Sequence, residues 1–274
     1  MTDYAAPIAD MQFVATKLAG FSDVVALPGA DDLNEDLLSA IFEEGGKFAA
    51  GVLAPLNRVG DAQGSKLVNS AVKTPEGWQD AYRQFVEGGW NAVPFDPDYG
   101  GQGLPQIIAT PLLDMWHTSN MAFTLCPMLT QAAVEAVQQY GNADQKEKYL
   151  AKMISGEWTG TMNLTEPQAG SDLAQVRTKA VKKGDHYRIF GQKIFITYGD
   201  HDLTENIIHT VLARTPDAPD GVKGISMFIV PKFLVNEDGT PGERNDLRCA
   251  SVEEKMGIHA SPTAVMQYGD DEGA

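Results

Sequence analysis

The sequence has few of the residues that build disulfide frameworks or zinc sites. Its 274 residues include two cysteines, Cys126 and Cys249, which lie far apart and have no Cys-x-x-Cys spacing. A zinc site or a disulfide framework is therefore not expected, and both thiols are expected to be reduced. Cys126 stands in the apolar run 121–129, where a small buried hydrophobic residue is favoured over a reactive nucleophile.

Basic residues are fewer than acidic residues. The chain has 21 basic against 37 acidic residues and a formal net charge of −16. A polyanion is repelled on average by such a surface, so nucleic acid is not expected as a partner. A local basic patch could still receive a phosphorylated cofactor.

Targeting and membrane signals are missing from the pattern. No basic segment followed by an apolar segment stands at the start, and no apolar run is long enough to span a bilayer. We therefore expect no membrane partner and a cytoplasmic location.

Several common catalytic motifs are absent. The sequence has no His-Glu-x-x-His, no Walker loop, no Gly-x-Gly-x-x-Gly and no Gly-x-Ser-x-Gly. Standard hydrolase and nucleotide-fold hypotheses are thus unsupported. The five histidines have no metal-ligand spacing, so no metal is predicted and each is expected to be solvated or singly hydrogen-bonded.

Apolar residues recur at helical spacing through the first half of the chain. This periodicity predicts helices near 8–18, 33–42, 78–86 and 107–140, with the pair Asp31-Asp32 favouring the start of the second. Asn142 and Gln145 form a possible capping pair for one more helix, and Gly156 is its expected end. Residues 57–70, rich in Gly and polar side chains, are predicted as a loop.

After residue 157 the pattern changes to short β-rich segments. Strands are predicted at 159–164, 176–181, 187–196, 207–212, 225–230 and 264–268, with a hairpin turn at Lys183-Gly184-Asp185. We therefore predict an all-helical domain over residues 1–157 and a small β-barrel or sandwich domain over residues 158–274.

A polar segment follows the first predicted strand. Residues 165–172 read TEPQAGSD and place two hydroxyls and two carboxylates on a turn. Pro167 stiffens this turn and Gly170 permits a positive φ. In isolation the segment is equally compatible with an ordinary polar loop and with a ligand rim.

A second segment, GQKIFIT at residues 191–197, ends the predicted hairpin. Together the two segments resemble the flavin-binding segments of the acyl-CoA dehydrogenase family. YGGQGL at 99–104 is similar to an element of that family's N-terminal helical domain, and EEKMGIHASPT at 253–263 resembles the segment that closes its β domain. The resemblance covers almost the whole chain.

The resemblance implies FAD as the cofactor and acyl-CoA as the substrate. The residues it assigns to FAD are Met162, Leu164, Thr165, Gly170, Ser171, Phe195, Ile196 and Thr197. Ser171 would lie where cofactor and acyl-CoA meet, and the Thr197 hydroxyl near flavin N5. An aromatic side chain also suits the apolar face of a flavin. The sequence departs from the common pattern at Phe195, where most relatives have Trp, and at Gln168, where Gly is usual.

The resemblance further implies α,β-dehydrogenation of an acyl-CoA to the trans-2-enoyl-CoA, with electron-transfer flavoprotein as the electron acceptor and a homodimer or homotetramer as the assembly. In the family the general base is a glutamate of a C-terminal four-helix-bundle domain, which this sequence lacks. We therefore assign no catalytic residue and expect the chain to be a fragment, inactive alone and weak or inert toward FAD.

Alternatives remain open at this point. An acyl-CoA oxidase, an alkylation-response flavoprotein that binds DNA, and a non-catalytic interaction module all fit the pattern. The apolar run 121–128 either lines an acyl pocket, as the resemblance implies, or forms plain core. The opening and closing segments look like longer bacterial family members, among them those acting on 3-methylmercaptopropionyl-CoA.

Overall fold

The first half of the chain folds as packed helices. The computed structural model describes residues 4–30 and 32–274. The helices are α1 (Ile8–Phe13), α2 (Phe21–Val25), α3 (Glu35–Phe48), α4 (Ala54–Gln63), α5 (Trp78–Glu87), α6 (Gln106–Tyr140) and α7 (Ala143–Ser155). Asn34 caps α3 by accepting a hydrogen bond from the Leu37 amide, so the helix begins after Asp32; Asp31 lies outside the described residues.

The predicted loop at 57–70 is wrong. A π-helical turn, Ala49–Leu53, joins α3 to α4 without a break, and residues 66–73 form a short hairpin. Gly60 lies within α4. A Cβ added to it would be 2.1 Å from the Trp78 indole, so a larger residue would collide with that ring. The glycine therefore permits helix packing rather than a turn.

The long apolar run forms α6, which is buried along much of its length. The helix kinks at Asn120, whose φ and ψ of −158° and 82° are not helical. The predicted capping pair is confirmed: Asn142 and Gln145 exchange side-chain and backbone hydrogen bonds at the start of α7, and Gly156 ends it at φ 84°.

The second half is built of strands. The short hairpin of the first half consists of β1 (Lys66–Val68) and β2 (Ala71–Lys73). The strands of the second half are β3 (Thr159–Asn163), β4 (Lys179–Lys183), β5 (His186–Thr197), β6 (Ile207–Ala213), β7 (Ser226–Pro231), β8 (Phe233–Val235), β9 (Pro241–Arg244), β10 (Leu247–Val252) and β11 (Thr263–Tyr268). The predicted hairpin turn is present, with Gly184 at φ 65°. The segments β8, β9 and β10 were not predicted.

Two larger sheets make up most of the β domain, and β8 and β9 form a separate antiparallel pair. An antiparallel sheet has the order β10-β11-β5-β4, and a second sheet has the order β3-β6-β7, with β3 and β6 parallel. Their edges meet where the Ala180 amide donates to the Arg214 carbonyl at 2.8 Å and the Arg214 amide to the Thr178 carbonyl at 2.9 Å. A helical domain followed by a small barrel-like β domain confirms the predicted fold class.

Each half has an apolar core, and a third apolar cluster joins them, in which Val134 of α6 and Leu150 of α7 pack with Ile208 of β6. The helical core centres on aromatic residues of α5 and α6, among them Trp78, Phe85 and Trp116. Both cysteines are buried, as predicted for Cys126, which packs in this core, while Cys249 packs in the core between the sheets. Among the described residues, no helix is long and apolar enough to cross a membrane.

Candidate functional site

The two sequence segments singled out above lie side by side. The Ile194 amide donates to the Thr165 carbonyl at 2.9 Å, and the Thr161 hydroxyl donates to the Thr197 carbonyl at 2.7 Å. The chain after β3 is thus joined to the last third of β5. The structure therefore brings together residues that are about 30 positions apart in the sequence.

A buried ion pair lies beneath this junction. Lys193 is fully buried and its Nζ is 2.8 Å from Glu166 Oε1. The Glu166 carboxylate also accepts the amides of Arg177 at 2.7 Å and Thr178 at 3.0 Å, and the Gln168 side chain. Burial alone would raise the pKa of Glu166, but these donors outweigh it and lower the pKa below its ordinary value.

A β-bulge sets the direction of Phe195. Between the pairs Ile196–Ala264 and Lys193–Met266, β5 has one residue more than β11. Phe195 takes φ 60° there, so the inward and outward alternation shifts by one position. As a result Phe195 is 58% exposed, whereas Ile196 is 2% exposed and lies in the core.

The remaining predicted site residues differ in how exposed they are. Gly170 and Ser171 are exposed, and Met162, Leu164, Thr165 and Thr197 are half-buried. Among the described residues, no protein group hydrogen-bonds to the hydroxyls of Thr165, Ser171 or Thr197, although the Thr197 carbonyl is engaged. An exposed aromatic ring beside unpartnered hydroxyls fits a planar ligand with an apolar face and a polar edge. The assignment of these residues to a cofactor stays a prediction.

Sequence reasoning did not assign a role to Glu166 or Lys193. A signal was present, because Lys193 has the same parity along β5 as the buried Ile189 and so falls on the inward face. A lysine at an inward strand position needs a buried acceptor. The partner could not be named from the sequence, since it lies 27 residues away on another segment.

The helical domain contacts the end of β5 directly. Tyr198 follows Thr197, is buried, and takes φ 51°. Its hydroxyl donates to the Ala122 carbonyl of α6 at 2.6 Å and accepts from the Trp78 indole at 3.3 Å. The run 121–128 is divided in its surroundings, since Ala122 is buried in the helical core whereas Met121 is 48% exposed.

Three histidines differ from the prediction of solvated or singly bonded side chains. His201 and His209 are buried, and burial lowers the pKa of each to about 3. His201 contacts the Thr159 hydroxyl at 2.9 Å and accepts from the Leu203 amide at 3.1 Å. His209 contacts the Tyr268 hydroxyl at 3.0 Å and Asn163 Oδ1 at 3.4 Å. The burial of these two rings comes from the packing of the chain around them, which the spacing of histidines in the sequence does not reveal.

His259 is the third. Its Nδ1 is 2.6 Å from Asp61 Oδ1 and its Nε2 is 2.8 Å from the Lys255 carbonyl. The Ser65 hydroxyl donates to the Ala260 carbonyl at 2.6 Å beside it. These contacts fasten the 253–263 segment to the end of α4.

A groove of about 750 Å³ lies elsewhere, between α7, the start of β5 and strand β7. It contains none of the predicted site residues. The candidate site is therefore the open surface around Phe195, which the bulge and the buried ion pair define, and not this groove.

Comparison with known proteins identifies this architecture. Residues 40–157 match the family model "Acyl-CoA dehydrogenase, N-terminal domain", and residues 161–270 match "Acyl-CoA dehydrogenase, middle domain". The chain belongs to the acyl-CoA dehydrogenase family, and the resemblance read from the sequence is confirmed. The boundary predicted between residues 157 and 158 stays a prediction.

Individual relatives are similar over most of the chain. A 3-methylmercaptopropionyl-CoA dehydrogenase of Ruegeria pomeroyi is 48% identical over 98% of this chain and 46% of its own length. A butyryl-CoA dehydrogenase of Syntrophomonas wolfei is 42% identical over 89% of this chain and 40% of its own. The chain thus spans less than half the length of these relatives.

A solved structure shares the fold. The acyl-CoA dehydrogenase from Geobacillus kaustophilus superposes with a TM-score of 0.68 at 26% identity, covering 88% of this chain and 57% of that one.

Proposed function

We propose that this chain provides the FAD-binding surface of an acyl-CoA dehydrogenase, a flavin-dependent oxidoreductase that converts an acyl-CoA thioester to its trans-2-enoyl-CoA. The observation that carries the proposal is the junction of the 165–172 and 191–197 segments beside the exposed Phe195 ring, made by the Ile194 amide and the Thr165 carbonyl. Membership of the acyl-CoA dehydrogenase family supports the same reaction class.

In this proposal each residue acts by its own chemistry. FAD, when bound, supplies the acceptor for the hydride removed from Cβ of the acyl group. Phe195 packs its apolar ring against the isoalloxazine, and the Thr197 hydroxyl hydrogen-bonds to the polar edge near N5. Met162, Leu164 and Thr165 line the cofactor from β3, Ile196 supports the ring position from beneath, and Gly170 and Ser171 border the substrate side.

The finer proposals rest on individual relatives. The 48% identity to an enzyme named for 3-methylmercaptopropionyl-CoA supports that thioester as a candidate substrate. The family also supports electron-transfer flavoprotein as the electron acceptor and a homo-oligomeric assembly. No general base is assigned among these residues.

The test is visible absorbance of the flavin, measured anaerobically on protein from the native source and on the 274-residue chain supplied with FAD. A panel of acyl-CoAs that includes the 3-methylmercaptopropionyl thioester is then added. Bleaching of the flavin band by one thioester supports the reaction and identifies its substrate. A native protein without flavin that also ignores added FAD contradicts the proposal.

A further inference from the structure

The geometry points to Glu166 and Lys193 as positioning residues: we propose that this buried ion pair holds the candidate cofactor surface in its binding shape before the cofactor arrives. The inference rests on the proposed function, because it concerns the same FAD site. Neither side chain is a candidate for touching the cofactor, since Lys193 is fully buried and Glu166 is 3% exposed.

Glu166 joins three separate stretches of chain. Its carboxylate binds Lys193 on β5 and the amides of Arg177 and Thr178 just before β4, while its backbone exchanges hydrogen bonds with Ala169 at 2.8 and 3.0 Å. The backbone bonds close the turn at residues 166–169, which Gly170 and Ser171 directly follow. One carboxylate therefore fixes this turn relative to two strands.

Lys193 completes the attachment from the other side. Its Nζ donates to the Leu164 carbonyl at 2.9 Å as well as to Glu166. The next residue, Ile194, donates its amide to the Thr165 carbonyl at 2.9 Å. These three bonds connect the cofactor-lining residues after β3 to the strand that leads into Phe195.

The ion pair lies close to a strained position in the chain, the bulge at Phe195. Phe195 adopts a left-handed φ of 60°, a conformation that persists for a bulky residue where its surroundings impose it. Lys193 lies two residues before it and Ile196 packs in the core immediately after. Anchoring at Lys193 therefore constrains the bulge from its N-terminal side.

A stability role alone does not explain the arrangement. Replacing a buried ion pair by apolar groups is often neutral for folding, whereas such pairs can specify one conformation over others. The chain offers a matched comparison in Lys232 and Asp200, a second buried pair with 2.6 Å between Nζ and Oδ1. Asp200 also accepts the Val72 amide, and neither residue contacts the 162–171 or 195–197 segments through a hydrogen bond within the described part of the chain.

The experiment compares four proteins: the unchanged chain, Glu166→Gln, the double variant Glu166→Gln with Lys193→Met, and Asp200→Asn as the control. The double variant leaves no unpaired buried charge, so it keeps the fold where a single change fails. Amide hydrogen exchange is followed by mass spectrometry over peptides covering 162–178 and 193–198. FAD affinity is measured separately from quenching of flavin fluorescence.

We expect exchange in these two peptides to accelerate by about tenfold or more in the Glu166 variants, with β6 and β7 unchanged, and FAD affinity to fall by a similar factor. Asp200→Asn should leave both quantities within about twofold. Equal effects of the Asp200 and Glu166 variants, or unchanged exchange in the double variant, overturn the inference.

The hydrogen-exchange result does not depend on FAD. If the unchanged chain and the native protein both fail to bind FAD, the proposed function fails, while local exchange still decides whether the pair orders this surface. If FAD binds equally to all four proteins, the proposed cofactor stands and the positioning role is overturned.

Discussion

The Tyr198 hydroxyl donates a hydrogen bond of 2.6 Å to the Ala122 carbonyl and so joins the candidate site to the helical domain. Ala122 lies two residues after Asn120, where α6 kinks, and Tyr198 directly follows the site residue Thr197. The same hydroxyl accepts from the Trp78 indole. The end of β5 is therefore positioned by helices as well as by its own sheet.

Replacing Tyr198 by Phe should destabilise the chain by about 1–3 kcal/mol, because the buried Ala122 carbonyl and Trp78 indole would lose their partner. Urea unfolding followed by circular dichroism measures the change. Tyr187→Phe is the control, since Tyr187 is 39% exposed and should change the free energy of unfolding by less than about 0.5 kcal/mol. Equal stability of Tyr198→Phe and the unchanged chain would show that the two buried groups find other partners.

Gly60→Ala should destabilise the chain by about 1–3 kcal/mol although alanine favours helices, because the added methyl would overlap the fully buried Trp78 ring. Gly51→Ala provides a close control in the same continuous helix, since an added Cβ there meets nothing within 4 Å. We expect that variant to gain roughly 0.5–1 kcal/mol from helix propensity. Thermal or urea unfolding of both variants separates the two effects, and a stabilised Gly60→Ala would contradict the packing argument.

The same glycine explains where sequence reasoning about the fold succeeded and failed. The capping pair Asn142 and Gln145 was predictable because its hydrogen bonds join residues three positions apart. Residues 57–63 were misread as loop because Gly60 looks like a helix breaker when Trp78, 18 positions away, is not known to cover it. Signals between residues close in sequence therefore predict the cap, whereas the helix at residues 57–63 depends on a contact with a residue far along the chain.

At the candidate site too, local sequence patterns are predictive and contacts between distant residues are not. The segments at 165–172 and 191–197 are recognisable as sequence motifs, and the pattern also predicts the strands that carry them. The outward direction of Phe195 was not, because it depends on the bulge between β5 and β11, which pair across about 70 residues. The partner of Lys193 was hidden for the same reason.

Phe195→Gly should separate stability from cofactor binding. Glycine adopts the φ of 60° without the cost of roughly 1–2 kcal/mol that a bulky side chain carries, and little buried surface is lost from a side chain that is 58% exposed. We therefore expect equal or slightly higher resistance to urea. FAD affinity should fall by about tenfold or more, because the ring that packs on the flavin is gone.

Tyr187→Ala is the matched control for Phe195→Gly, since it removes another exposed aromatic ring from β5, one that packs on Phe228 at 5.2 Å between ring centroids. It should leave FAD affinity unchanged. A Phe195→Gly variant that binds FAD as tightly as the unchanged chain would remove Phe195 from the cofactor site.

Stability should fall as the pH drops from about 6.5 toward 3, because His201 and His209 are buried and neutral. Desolvation lowers the pKa of each from 6.5 to about 3 in the folded chain, with nearby Lys232 adding to the effect. The unfolded chain therefore binds more protons across this interval, and protonation favours unfolding. Each histidine should contribute a loss of up to about 1.4 kcal/mol of unfolding free energy per pH unit below its unfolded pKa.

Urea unfolding at pH 7 and pH 5 measures how steeply the free energy of unfolding depends on pH. This dependence should become shallower by up to about that amount in His209→Gln. The difference between variant and unchanged chain at pH 7 reports the cost of the substitution itself, so the change in slope isolates the titration. An unchanged slope in His209→Gln would mean that the ring is protonated, or exchanges with a solvated position, in the folded state.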